Sequence, residues 1–226
     1  MSSLEIYNDL FDNSIDKIRD GKNFVNKLVG SKSDKRRGLT LVLRPDDFIK
    51  DNIHSFFTEL QEIDPFHYYQ PKSDLHITAL TLISCYDGFH IDHLDIDHYI
   101  KIIKECLTNH SSFDIAFNGV SASLEAVIIQ GFISNNHLNV LRNKLRVKFR
   151  NENIEQSIDT RYSLETAHIT AVRFKRKIQQ SEKYAAVLNK YRNHHFGTFQ
   201  PKTLELVYND WYLKSNITKI LHEFHL

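Results

Sequence analysis

The chain has 226 residues, 41% hydrophobic and 25% charged, with a net charge of +1. That balance belongs to a globular protein with one sizeable domain or two small lobes on a shared core, and it offers no global field for a nucleic-acid or membrane partner. No apolar run reaches membrane-spanning length, and MSSLEIYNDLFDNSIDKIRDGKNF, with early acids and no continuous apolar stretch, excludes a standard secretory signal, so a cytoplasmic protein is expected.

Leu4, Tyr7, Phe11, Ile15 and Ile18 recur at three- and four-residue spacing and predict one amphipathic helix ending near Gly21. GSKSDKRRG, residues 30–38, is polar, basic and bounded by glycines, as expected of a solvated linker. Residues 1–37 are thus expected to be an N-terminal helix and basic linker, and residues 38–226 a single two-lobed domain. LTLVLRP (39–45) predicts a strand stopped by proline. Asp46 is then the expected cap of a helix carrying Phe48, Ile49, Ile53, Phe56, Phe57 and Leu60. LHITALTLIS follows as a strand and 98–107 as a helix. FDIAFNGV and LEAVIIQGFI predict two strands, with Asn118-Gly119 a possible turn start. Residues 136–149 predict a helix, HITAVRF a strand and 181–191 a helix. Residues 204–213 and 217–224 predict a closing hairpin across KSN. Each half contains one HITA strand between helices, which suggests an α+β fold with two similar lobes.

The word His-Ile-Thr-Ala occurs twice, in DLHITALTL and TAHITAVRF, with its histidines at positions 76 and 168. Side chains alternate across a strand, so His76 and Thr78 share one face about 7 Å apart, as do His168 and Thr170. The intervening Ile and following Ala suit the opposite, packed face. If the two strands lie side by side, two imidazoles and two hydroxyls converge, matching a phosphodiester in number and type. Hydrolysing such a bond needs a base to take the water proton and an acid to protonate the leaving oxygen. Histidine serves either role near neutral pH, and hydroxyl donors stabilise the phosphoryl oxygens. No metal or other cofactor is required in principle.

With these two words the sequence resembles the 2H phosphoesterase superfamily, which includes the bacterial RNA 2′,3′-cyclic phosphodiesterases also called 2′-5′ RNA ligases. The similarity covers about residues 39–213. It implies a pseudo-twofold, two-lobed α+β fold with central antiparallel sheets flanked by outer helices, here with an N-terminal helical extension. It also implies a metal-independent cyclic phosphodiesterase acting on a nucleotide or RNA 2′,3′-cyclic phosphate, with possible reverse 2′-5′ RNA ligase activity. His76 and His168 are the expected catalytic pair, the first as proton donor and the second as acceptor, with Thr78 and Thr170 on the phosphate. In the bacterial members the second word often continues to an arginine, which implies that Arg173 contacts phosphate. Strict alternation puts Arg173 on the face opposite His168, so a bulge or a strand end would be needed to bring it round.

Other features have plainer expectations. Cys85 and Cys106 lie in apolar surroundings and are expected to be buried thiols. His90, His93 and His98 alternate with acids in FHIDHLDIDHY without standard zinc spacing, so a polar loop and helix start is expected there. RNKLRVKFR (142–150) sets five cations at every second position, spreading them around a solvated helix, with an RNA-tracking patch as the alternative. Tyr68, Tyr69 and Trp211 could stack on a base or pack on the core. Two rival functions stay open: a nucleotide-binding sensor with the same pocket and little turnover, and a metal-dependent hydrolase using the cluster from His90 to His98.

Overall fold

The computed structural model describes residues 2–109 and 111–226. The expected first helix is two, α1 (Ser3–Asp12) and α2 (Ile15–Arg19). Ser2 and Glu5 close a capping box at the start of α1, and the chain breaks helix at Asn13-Ser14, residues that favour caps over helix interiors. Tyr7, Phe11, Ile15 and Ile18 are buried on both sides of the break, and the last three join the main apolar core. Beyond the helices, the Phe24 amide donates to the Leu124 carbonyl at 2.6 Å and the Asn26 amide to that of Phe174 at 2.8 Å. The N-terminal segment is therefore stitched to the body of the protein.

In chain order there follow β1 (Arg37–Leu43), α3 (Asp47–Ile63), β2 (Tyr68–Tyr69), β3 (Ile77–Tyr86), α4 (Ile96–Leu107), β4 (Ile115–Ala122) and β5 (Ala126–Ile133). Then come α5 (His137–Asn151), β6 (Ile169–Arg173), α6 (Ser181–Lys190), β7 (His195–Phe199), β8 (Thr203–Asp210) and β9 (Lys219–His225). Asp46 caps α3 through its carboxylate, which accepts from the Ile49 amide at 2.9 Å. Of the apolar residues expected on that helix, Phe48 stays 64% exposed while Ile49, Ile53, Phe56, Phe57 and Leu60 are buried. Asn118-Gly119 is not a turn. β4 runs through it with a bulge, and Gly119 has φ +82 and so close an approach to the Arg192 carbonyl that a Cβ would lie 2.1 Å from it. The turn falls at residues 123–125, where the Ser123 hydroxyl accepts from the Glu125 and Ala126 amides at 3.2 Å each.

Among the described residues the nine strands form one antiparallel sheet in the order β7-β4-β5-β6-β3-β1-β8-β9, with β2 alongside β6. Four strands of that path lie on each side of the β6–β3 seam, which makes two lobes of one sheet. The lobes interleave in sequence: β4, β5 and β7 complete the lobe of the second word, while C-terminal β8 and β9 return to β1 and β3. Helices α3 and α6 pack as one pair and α4 and α5 as another. Among the described residues no helix is long and apolar enough to cross a membrane.

Candidate active site

The two words meet at the seam. β3 and β6 pair antiparallel through one position, Ile77 against Ile169, at the start of each strand. Residues directly opposite in an antiparallel pair share a face. The register therefore sets His76 across from Thr170, and His168 across from Thr78, with a local twofold axis between the isoleucines. Ile77 and Ile169 are fully buried on the other side. His76, Thr78, His168, Thr170 and Arg173 all line one cavity of about 150 Å³.

The bulge that Arg173 requires is present. Between β5 and β6 the register steps from Ile128 opposite Thr170 to Val127 opposite Val172, leaving Ala171 as an extra residue. One extra residue reverses the parity of the strand, so His168, Thr170 and Arg173 come to one face. The first word does the same: Val42 pairs with Thr78 and Leu41 with Leu80, leaving Ala79 extra. The final alanine of each HITA is thus a bulge residue, and the same alternation of buried and half-open positions follows in both strands. By this symmetry Thr81 is the counterpart of Arg173, and it too lines the cavity. The second lobe supplies a cation where the first supplies a hydroxyl.

Each imidazole is held by the residue two before it. The His76 Nδ1–H donates to the Asp74 carbonyl at 2.7 Å. A carbonyl only accepts, so Nδ1 keeps its proton and Nε2 is the nitrogen left to exchange one in the cavity. Asp74 is fixed in turn by the Ser73 hydroxyl at 2.7 Å and the Ser215 amide at 3.0 Å. His168 Nδ1 lies 2.8 Å from the Thr166 hydroxyl, which has both a donor and an acceptor. A hydroxyl accepts from a protonated Nδ1 or donates to a bare one, so this contact holds the His168 ring in place in either tautomer. The Tyr7 phenol of α1 donates to the Gly131 carbonyl at 3.1 Å and accepts from the Gly131 amide at 3.2 Å. Gly131 permits the arrangement, since a Cβ there would sit 2.0 Å from the Ala167 carbonyl.

Burial pushes both histidines down to about 4; Arg44 and His168 add to the effect on His76, and Arg142 and Arg173 to that on His168. Both are therefore neutral near pH 7. Arg173 is itself pushed down by burial, and its guanidinium lies over the Tyr212 ring at 5.6 Å. Among the described residues no carboxylate pairs with it. The Glu125 carboxylate acts on it only through space, and a half-buried cation with no carboxylate in contact, facing a cavity, is an anion site in electrostatic terms.

Arg142 departs most from the sequence-based expectation. Lys144, Lys148 and Arg150 of α5 are exposed and Arg146 is half-buried against Asp159, but Arg142 is fully buried beneath the two words. It donates to the carbonyls of Ala79 at 2.7 Å, Thr78 at 3.0 Å and Thr166 at 2.8 Å. It therefore braces the first bulge and the approach to His168 together. Every-second-position spacing of cations did not mark it out. Leu138, Leu141, Leu145 and Phe149 share its buried side of α5, and this was the signal available in the sequence. Thr81 and Thr166 were also not singled out from sequence, and Tyr7 was read only as part of the amphipathic helix.

The remaining candidates resolve plainly. Cys85 and Cys106 are buried thiols, and burial pushes Cys85 up to about 12 although it borders the cavity. His93 pairs with Glu155 at 3.0 Å and His98 with Glu152 at 3.2 Å, and neither lines the cavity. Trp211 does line it, with the guanidiniums of Arg36 and Arg161 over its ring at 4.6 and 4.5 Å. Arg36 of the basic linker is thus partly buried and stacked. The Tyr68 hydroxyl donates to Asp74 at 3.3 Å and that of Tyr69 to the Asp64 carbonyl at 2.7 Å.

No family model matches the chain, and no curated protein matches its sequence. Solved structures do match. TT0787 of Thermus thermophilus has a TM-score of 0.60 at 16% identity, covering 84% of this chain and 97% of that one. E. coli LigT complexed with 3′-AMP has 0.57 at 13% identity, covering 84% and 98%. A structure described as a phosphoesterase has 0.54 at 15% identity, covering 84% and 98%. At these identities the likeness is one of fold, and it accords with the resemblance to the 2H phosphoesterase superfamily carried by the two words.

Proposed function

We propose that this chain, with the fold shared by LigT and its structural neighbours, is a metal-independent phosphodiesterase that opens a 2′,3′-cyclic phosphate of a nucleotide or RNA end. The observation that carries the reading is the β3–β6 register, which joins two imidazoles and two hydroxyls to the unpaired Arg173 around one cavity. In the proposed reaction the phosphoryl oxygens lie against Thr78, Thr170 and Arg173. The Nε2 of neutral His168 takes a proton from water as its oxygen bonds to phosphorus. The bond from phosphorus to one ribose oxygen breaks, and protonated His76 returns a proton to that oxygen. The product is a phosphomonoester with a free hydroxyl. The assignment of donor to His76 rests on the family resemblance. Charge on the phosphate favours protonation of a histidine that is neutral in the empty cavity.

The low proton affinity of both histidines favours one second reading, a sensor that binds a nucleotide and turns it over slowly. The test is incubation with 2′,3′-cyclic nucleotides in excess EDTA, beside His76→Ala and His168→Ala. The proposal expects turnover that survives EDTA, a bell-shaped pH profile, and loss of at least about 100-fold in either variant. Binding without turnover favours the sensor, and loss of activity in EDTA favours a metal route. Wild-type rates in both single variants would overturn the histidine pair.

A further inference from the structure

A second cavity, of about 470 Å³, opens beside the first and shares His168, Thr170 and Arg173 with it. The first alone is smaller than the roughly 300–1,000 Å³ of ordinary ligand pockets, and suits a phosphate rather than a whole nucleotide. The second falls within that range. Its walls are Ile6, Tyr7 and Leu10 of α1 on one side and Ala126 and Ile128 of β5 on the other. The N-terminal helix therefore borders the space into which a phosphate-bound group would extend.

The lining gives the chemistry of that group. Its charged side chains are Arg173, at the shared mouth, and Glu165. A further phosphate would meet a carboxylate and apolar walls, with no second cation. Tyr162, which lines both cavities, is 66% exposed and presents a ring at the junction. Ser123, Glu165, Thr166 and Thr170 give the lining hydrogen-bonding groups for which an acyl chain has no use. An uncharged planar heterocycle meets all of these: apolar faces, an aromatic edge and polar partners for ring nitrogens.

We infer that α1 and β5 form a nucleobase subsite beside His168, so that the substrate is a nucleotide whose base lies against Ile6, Leu10 and Ile128 while its phosphate lies between the two HITA words. This inference rests on the proposed phosphodiesterase reading for its reaction, though not for its binding. The test compares 2′,3′-cyclic AMP with glycerol 1,2-cyclic phosphate, which has no base, in the full chain and in Leu10→Trp and Tyr162→Ala. Leu10→Trp fills the cavity from the helix side. Tyr162→Ala alters an exposed position and guards against a folding defect.

The expected result is a fall of about tenfold in the ratio of kcat/KM for the nucleotide to that for the base-free phosphate, carried by KM. An unchanged ratio in both variants, or equal losses on both substrates, overturns the subsite. If the wild-type chain turns over neither compound, the phosphodiesterase reading fails, and equilibrium binding then decides the subsite. It requires 3′-AMP to bind at least tenfold tighter than inorganic phosphate and to lose that advantage in Leu10→Trp. Equal affinities for 3′-AMP and phosphate overturn it.

Discussion

Replacing Arg142 with methionine removes the brace under both words and keeps the side-chain volume roughly constant. Three buried carbonyls, those of Thr78, Ala79 and Thr166, then face a thioether. Unsatisfied buried acceptors cost about 1–3 kcal/mol each, or about 6 kcal/mol together at the middle of that range. Against this stands relief from burying a cation. Burial pushes Arg142 down to about 10 from 12.5, which corresponds to about 3 kcal/mol for holding it charged near neutrality. The net expectation is a loss of about 3 kcal/mol, a large part of the 5–15 kcal/mol typical of a domain. Urea unfolding followed by circular dichroism measures it. Arg142→Lys keeps the charge but lacks the planar fork that serves three acceptors, and it should fall between wild type and Arg142→Met. A second readout is independent of stability: Arg142 helps hold His168 down, so its removal should raise the His168 proton affinity in an NMR titration of the imidazole. An unfolding free energy within about 0.5 kcal/mol of wild type, with an unshifted His168, would refute the brace.

Two further outcomes follow from the electrostatics of the cavity. His76 and His168 are held near 4 in the folded chain against 6.5 in their ordinary state, so on acidification the unfolded chain takes up protons first. Stability should thus be full above about pH 6.5 and decline toward pH 4 by about 3 kcal/mol per imidazole, beyond any contribution from carboxylates. His168→Asn should flatten part of that decline, and equal slopes for wild type and variant would contradict the assignment. Arg173→Met should weaken inorganic phosphate binding by roughly 10- to 100-fold, the worth of one charge-assisted contact, while leaving unfolding midpoints equal or higher because a half-buried cation with no carboxylate in contact is gone. Titration calorimetry with urea curves checks both halves, and unchanged phosphate affinity would remove Arg173 from the site.

How far the sequence reaches is clearest in the HITA words. Alternation on a strand was enough to put His and Thr on one face and Ile on the other, because the pleat is a local property. It failed at Arg173, where strict alternation predicts the wrong face. The bulge at Ala171 exists only because β5 and β6 pair in a register that skips it, and nothing in HITAVR specifies that partner. β2 is similar, two residues whose strand character depends on lying beside β6. The break at Asn13-Ser14 was marked by cap-forming residues but hidden by apolar periodicity that continues across it.

Helix periodicity, capping at Asp46 and strand alternation follow from interactions within a few residues, so the chain order of most elements and the two-word chemistry were legible without coordinates. What only the tertiary structure decided depends on partners far apart in the chain. The pairing of Ile77 with Ile169 brings two histidines 92 positions apart to one phosphate-sized cavity. Arg142, in a run whose other lysines and last arginine are exposed, turns inward because the carbonyls of the first word and of the approach to His168 converge on it. Tyr7 reaches the Gly131 backbone, which lies against the Ala167 carbonyl next to His168, because α1 closes over the second lobe. Burial and hydrogen-bond satisfaction are sums over the whole fold, and no local pattern carries them.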